Sequence, residues 1–327
     1  MSRPKQTRTR WTLLGLAVGA IFLGVALYEA DLDAAWDVLR TVHVGWAQAV
    51  LACGLVFMAV KALRWSVVLR PLAHCPRGFL LGTVFVGTAA NLVVPHSGEV
   101  LRATLLARRQ ALAPSAVLAT IAIERILDFV ALVILTAVAL LIDPRVSPLL
   151  WSAGLISLAL VAAGLAVVYA FMRPTERSRR WGGWLIGLLP QRPGRWIEHQ
   201  IRRGVAGLAA LGHPGTVVAL IALSLLQWSC IVGSILASAL AVGVAIPVSG
   251  AIAVFVLTVI GLTLPSSPAQ LGTTQLAFVA GMELVGADAA RAFAASLVYT
   301  GFVNVAMMLI GLLLWWRLDW TATARRA

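Results

Sequence analysis

The stretch "NLVVPHSGEVLR", residues 91–102, interrupts a chain that otherwise reads as membrane. Apolar residues run up to Pro95, and then His96, Ser97, Gly98, Glu99 and Arg102 follow within seven positions. Proline lacks an amide donor and fixes φ, so a continuous helix breaks here. The flanking apolar segments, 79–94 and 98–112, both fall short of the roughly 20 residues that a span requires. A second short pair, 248–264 and 269–285, breaks in the same way at Pro265 and Pro268.

The surrounding composition sets the class. Of 327 residues, 60% are hydrophobic and 12% charged, against about 25% charged in soluble domains. Mean hydropathy is +0.92. The longest polar stretch, 173–213, is too short for an independent soluble catalytic domain. The net charge of +13 lies mostly at the flanks of apolar segments. That is the positive-inside pattern of membrane proteins and not a nucleic-acid footprint. The three cysteines, Cys53, Cys75 and Cys230, form no disulfide framework or ligand set. No metal or other cofactor is expected.

Six segments are long enough to span: 11–28, 46–69, 115–142, 148–172, 214–243 and 289–316. The first, behind the basic "MSRPKQTRTR", reads as an uncleaved signal anchor. The predicted fold is therefore an all-α, polytopic membrane bundle with six full spans and two Pro-broken pairs of short or re-entrant helices. A first half covers residues 1–172, with its short pair at 79–112. An Arg-rich cytoplasmic linker follows at 173–213, with Trp181, Trp184, Leu185 and Leu188 at the spacing of an interfacial helix. A second half covers 214–327, with its pair at 248–285.

Arginine placement orients these pieces. Arg3, Lys5, Arg8 and Arg10 put the N-terminus in the cytoplasm, and the eight arginines of 173–213 belong there too. Arg317, Arg325 and Arg326 put the C-terminus on the same side. Both conditions hold only if the first short pair returns to the cytoplasmic side and the second starts and ends outside. The two pairs also echo each other. At an offset of 170, "LVVPHSGEVLRATLLA" (92–107) aligns with "LTLPSSPAQLGTTQLA" (262–277), matching Pro95 with Pro265 and Ser97 with Ser267. Related segments in opposite orientation are the signature of an inverted repeat with a binding site between its halves.

Charges concentrate around the first break. Lys61 and Arg64, Glu99 and Arg102, and Glu124, Arg125 and Asp128 all lie within or beside apolar segments. Each costs roughly 2.5–3.5 kcal/mol at a helix centre on insertion scales, so such residues face the interior and pair. Glu99 and Arg102, three apart, are candidates to pair with each other. A buried pair of Glu124 or Asp128 with Arg64 or Arg102 is equally consistent. Snorkelling to the interface is the plain alternative for Lys61 and Arg64. His96 is a candidate proton-linked group. Helix starts after each break offer amide donors to an anion, and Ser266 adds a hydroxyl.

In order, "KALRWSVVLRPL", "NLVVPHSGEVLRATLLARR", "AIERILDFVAL" and "LTLPSSPAQLGTTQLA" resemble the lysylphosphatidylglycerol synthase transmembrane, or flippase-like, family of bacterial and archaeal membrane proteins. Full-length synthases of that family join such a region to a cytoplasmic aminoacyl-transferase domain. The resemblance therefore implies the lipid-handling part without the synthase, and no enzymatic activity of its own. The implied role is a flippase or transporter for an anionic phospholipid or lipid-linked headgroup in the plasma membrane. The substrate-binding candidates are Arg64, Asn91, His96, Glu99, Arg102, Glu124, Arg125, Asp128, Pro265, Ser266 and Gln275. Arg64 and Arg102 would hold phosphate. One departure concerns the second break, where the family reads P-x-x-P-G-G-x-G-x-x-E. Here Ala269 and Gln270 replace the Gly-Gly and Gln275 replaces the acid. Rival readings are an intramembrane lipid-phosphate transferase using Glu124 and Asp128, and a non-catalytic subunit beside a separately encoded lipid-modifying enzyme. A homo-oligomer is left open, and no nucleic acid is expected.

Overall fold

The computed structural model describes residues 32–94, 97–143, 213–263 and 272–317, with scattered helical positions between 152 and 162. His96, Pro265 and Ser266, the segment 11–28, most of 148–172 and the linker up to residue 212 lie outside the described residues. All regular structure among the described residues is helical.

Among the described residues, four helices are long and apolar enough to cross a membrane: α2 (Val44–Leu69), α5 (Pro114–Ile142), α6 (Pro214–Ala241) and a final helix over Ala289–Arg317. The last comprises α9 (Ala289–Thr300), a π-helical turn over Gly301–Val305 and α10 (Ala306–Arg317). The short pairs form α3 (Arg77–Val93) with α4 (Ser97–Gln110), and α7 (Val248–Thr263) with α8 (Thr273–Glu283). At 1.5 Å per residue, the 17 residues of α3 reach about 25 Å, short of a hydrocarbon core of about 30 Å. A further short helix, α1 (Leu32–Arg40), precedes α2. Ala35 is buried, with Val38 and Leu39 packed on the core, while Asp37 and Arg40 face outward.

α2 and α6 run antiparallel through the centre. At one end the His43 amide donates to the Ala241 carbonyl at 2.9 Å. At the other, Val67 and Val68 pack with Leu220. The α3–α4 hairpin follows α2, and its two ends meet where the Arg109 guanidinium lies 4.3 Å over the Phe79 ring. The α7–α8 hairpin follows α6, and its ends meet where a Cβ on Gly250 would stand 2.7 Å from Val285. The hairpin mouths therefore lie at opposite ends of the α2–α6 pair.

Glycine lets the hairpins close. In membranes small residues allow backbones to approach where no hydrophobic force drives association. A Cβ on Gly98 would collide with the Gly87 carbonyl oxygen, and one on Gly281 would stand 2.8 Å from the Val254 backbone.

Candidate functional site

The charged residues of α2, α4 and α5 converge. Glu124 and Asp128, one turn apart on α5, both reach Arg64 of α2. The Arg64 guanidinium donates to Asp128 Oδ1 at 2.7 Å and to Ser224 Oγ of α6 at 2.9 Å, and lies 3.7 Å from Glu124 Oε1. Arg102 of α4 donates to Glu124 Oε2 at 2.9 Å. Its guanidinium sits 4.2 Å over the Trp65 ring, whose indole N–H donates to Thr120 at 3.1 Å. Trp228 of α6 donates to Asp128 Oδ1 at 3.0 Å.

One expectation is corrected. Glu99 and Arg102 do not pair with each other. Arg125 reaches from α5 to Glu99 at 2.5 Å, and Arg102 turns instead to Glu124. The reason is steric and electrostatic. The hairpin lays the α4 face carrying Arg102 against Gly87, where an added Cβ would stand 2.5 Å from Arg102 Cγ. The guanidinium is thereby directed inward toward a buried acid, while Glu99 remains at the rim.

Burial grades across the site. Arg64 is fully buried, and Arg102 and Glu124 are nearly so, at 3% and 2% exposed. The side chain of Arg125 is 46% exposed, with Glu99 at 17% and Asp128 at 13%. Lys61 is partly exposed, one turn before Arg64 on α2, with its ammonium 5.8 Å from the centroid of the Phe57 ring. The site thus has a sealed floor of Arg64, Arg102 and Glu124 and an open rim of Lys61, Glu99, Arg125 and Asp128.

The helix starts after the breaks are capped internally. Asn91 Oδ1 accepts from the Gly98 amide at 2.6 Å, and Ser97 donates to the Ala90 carbonyl at 2.9 Å. In the second hairpin Gln275 Oε1 accepts from the Gly272 amide at 2.7 Å, and its NH2 donates to Thr300 at 3.2 Å. Gly272 has φ +87, a conformation that glycine adopts freely. Gln275 is fully buried in the second hairpin and makes these side-chain hydrogen bonds there and to the last span. These two amides are therefore committed to side chains of the same hairpins.

Sequence reasoning did not single out Gly87, Trp65, Thr120, Ser224 or Trp228. Ser224 and Trp228 were legible as a signal, being polar-capable residues four apart inside an apolar span. Gly87 was not, because its contribution is the space that it leaves for Arg102. Among the described residues no group of three His, Cys, Asp or Glu gathers at metal-binding distance.

Residues 12–311 match the family described as Lysylphosphatidylglycerol synthase TM region. The chain belongs to that family. It is a multi-pass membrane protein of a lipid-related group, with three of the four described spans wholly inside the matched region and the fourth overlapping it. A curated relative, Glycosyltransferase AglD of Haloferax volcanii, is 26% identical over 140 residues. The match covers 42% of this chain and only 22% of that relative.

Proposed function

We propose that this protein binds the anionic headgroup of a membrane lipid or lipid-linked intermediate at the open rim and carries it between leaflets. The carrying observation is the ion network across α2, α4 and α5. It places seven charged side chains within apolar helices or at their edges and leaves Arg125 and Lys61 accessible. Charges at membrane depth are costly and mark substrate pathways. In this reading Arg64 and Arg102 anchor the helices instead of touching substrate, because both are covered and bound to acids. Arg125 and Lys61 meet the phosphate. Glu99 and Asp128 hold Arg125 toward the rim. Relative motion of the two halves would expose the site to each side in turn, as in transporters built from inverted repeats. The same reading puts the protein in the plasma membrane with both termini cytoplasmic, supported by the arginine distribution.

The test is lipid movement in proteoliposomes, followed as protection of a fluorescent phospholipid from an external quencher. Purified protein should accelerate movement, and Arg125→Gln and Glu99→Gln should slow it about tenfold without changing the elution profile. A wild-type protein that moves no lipid, or variants indistinguishable from it, would sink the proposal.

A second reading draws on the glycosyltransferase-named relative. Here the chain is a membrane module working beside a lipid-modifying enzyme and presenting a lipid-linked substrate to it. Co-purification of such an enzyme, with no lipid movement by the chain alone, would favour this reading. A transferase using Glu124 and Asp128 fits less well, since both carboxylates are already bound by Arg64.

A further inference from the structure

Asp128 of α5 receives donors from three directions. Its Oδ1 accepts from Arg64 of α2 at 2.7 Å and from the indole N–H of Trp228 of α6 at 3.0 Å. Its Oδ2 lies 3.4 Å from Arg125, which also pairs with Glu99 at 2.5 Å. Arg125 is thus shared between two carboxylates, and its pair with Asp128 is the looser. A carboxylate spreads its negative charge over the N–H groups that it accepts. The more firmly Arg64 and Trp228 hold Oδ1, the less Asp128 draws Arg125 away from Glu99. Arg64 is fully buried and bonded to Ser224 as well. Trp228 is the adjustable donor, because its position is set by what its ring packs on.

That ring packs on phenylalanines from both halves of the chain. Phe57 of α2 stands edge-on to it, with centroids 5.7 Å apart, and Phe255 of α7 lies at 5.2 Å. Phe255 is buried, and its neighbour Val254 holds α7 against Gly281 of α8. The second hairpin therefore carries Phe255 with it. Aromatic pairs prefer offset or edge-on geometries, so a shift of that hairpin against α6 displaces the Trp228 ring and pulls its N–H from Asp128.

We infer that Trp228 is a positioning residue through which the second hairpin sets the rim. With α7 seated, Trp228 holds Asp128, and Arg125 stays with Glu99 at the open edge. With α7 displaced, Asp128 loses that donor and draws Arg125 inward. The grip of the rim on an anion then depends on the placement of the other half of the protein. This rests on the transport reading above and supplies the link between its two halves. A chain of contacts becomes coupling only where its ends respond to each other, so the measurement perturbs one end and reads the other.

The experiment follows the reaction of Arg125 with phenylglyoxal in the full chain in mild detergent, by peptide mass mapping. Arg40 of α1, with 67% of its side chain exposed, is the internal reference. Trp228→Phe keeps an aromatic ring and removes the donor. It should slow modification of Arg125 relative to Arg40 about fivefold, the net effect of one hydrogen bond. Phe255→Leu, or Phe255→Met, touches neither carboxylate and should slow it about twofold through the weakened aromatic pair. Combined with Trp228→Phe, either change should add nothing, because the link is already cut. A general loosening of the fold would instead speed Arg125 modification. An unchanged or faster rate in Trp228→Phe, no effect at position 255, or an effect there that persists in Trp228→Phe overturns the inference. Phenylglyoxal requires no lipid movement. Linked rates in a protein that moves no lipid would remove the transport reading and leave the coupling standing.

Discussion

Gly87 and Gly98 act by what they lack. A side chain at 98 would enter the Gly87 backbone, and one at 87 would displace the Arg102 stem. Gly98→Ala should therefore force α3 and α4 apart, costing about 1–3 kcal/mol as overpacking does, and should slow lipid movement by unseating Arg102. Gly78, with nothing within 4 Å of an added Cβ, is the control. Gly78→Ala should be neutral or slightly stabilising, since alanine favours helix by about 1 kcal/mol. Thermal midpoints of the two variants in detergent check the contrast. The polar residues of "NLVVPHSGEVLR" divide along the same lines. Among those described, Asn91 and Ser97 bind backbone within the hairpin, Arg102 enters the floor, and Glu99 stays at the rim.

At the scale of elements, Arg64 ties α2 to both α5 and α6 through Asp128, Glu124 and Ser224. Removing one member of a buried pair leaves the others unpaired, at about 3–5 kcal/mol. Arg64→Met should accordingly lower the folded yield sharply. Combining it with Asp128→Asn, which leaves Glu124 paired with Arg102 and Glu99 with Arg125, should restore part of the yield without restoring lipid movement, the first read by size-exclusion recovery and the second in proteoliposomes. That outcome separates the anchoring role from substrate contact. The second hairpin is tied by neutral groups instead, with Gln275 joining the start of α8 to Thr300, directly before the π-helical turn of the last span. Glu124 and Asp128, four apart on α5, share one helix face, and both carboxylates reach Arg64. The π-turn was not legible, because its residues, "GFVNV", have no local signature distinct from a continuous helix.

For the whole molecule, the opposed hairpin mouths carry a topological prediction. In a cysteine-free background, Arg77→Cys lies at the mouth of the first hairpin and Glu283→Cys at that of the second, both exposed. An impermeant thiol reagent should label Glu283→Cys in intact cells and Arg77→Cys only after the membrane is opened. Labelling of both from one side would contradict antiparallel hairpins. The arginine count pointed to this arrangement because loop charge biases orientation during insertion. The helix contacts independently put the mouths at opposite ends of the α2–α6 pair.

By itself the sequence determined that this is a helical membrane protein with two broken hairpins and that its ionic chemistry lies near residues 61–128. Hydropathy, proline and charge are local properties, and they act before tertiary contacts form. Only the tertiary structure decided which charges face each other. Glu99 found Arg125 instead of Arg102, 26 residues away in sequence and on another helix. It also divided the cluster into a sealed floor and an accessible rim. Pairing at membrane depth follows burial and backbone approach, set here by two glycines and the packing of α2, α5 and α6, and no local spacing encodes that.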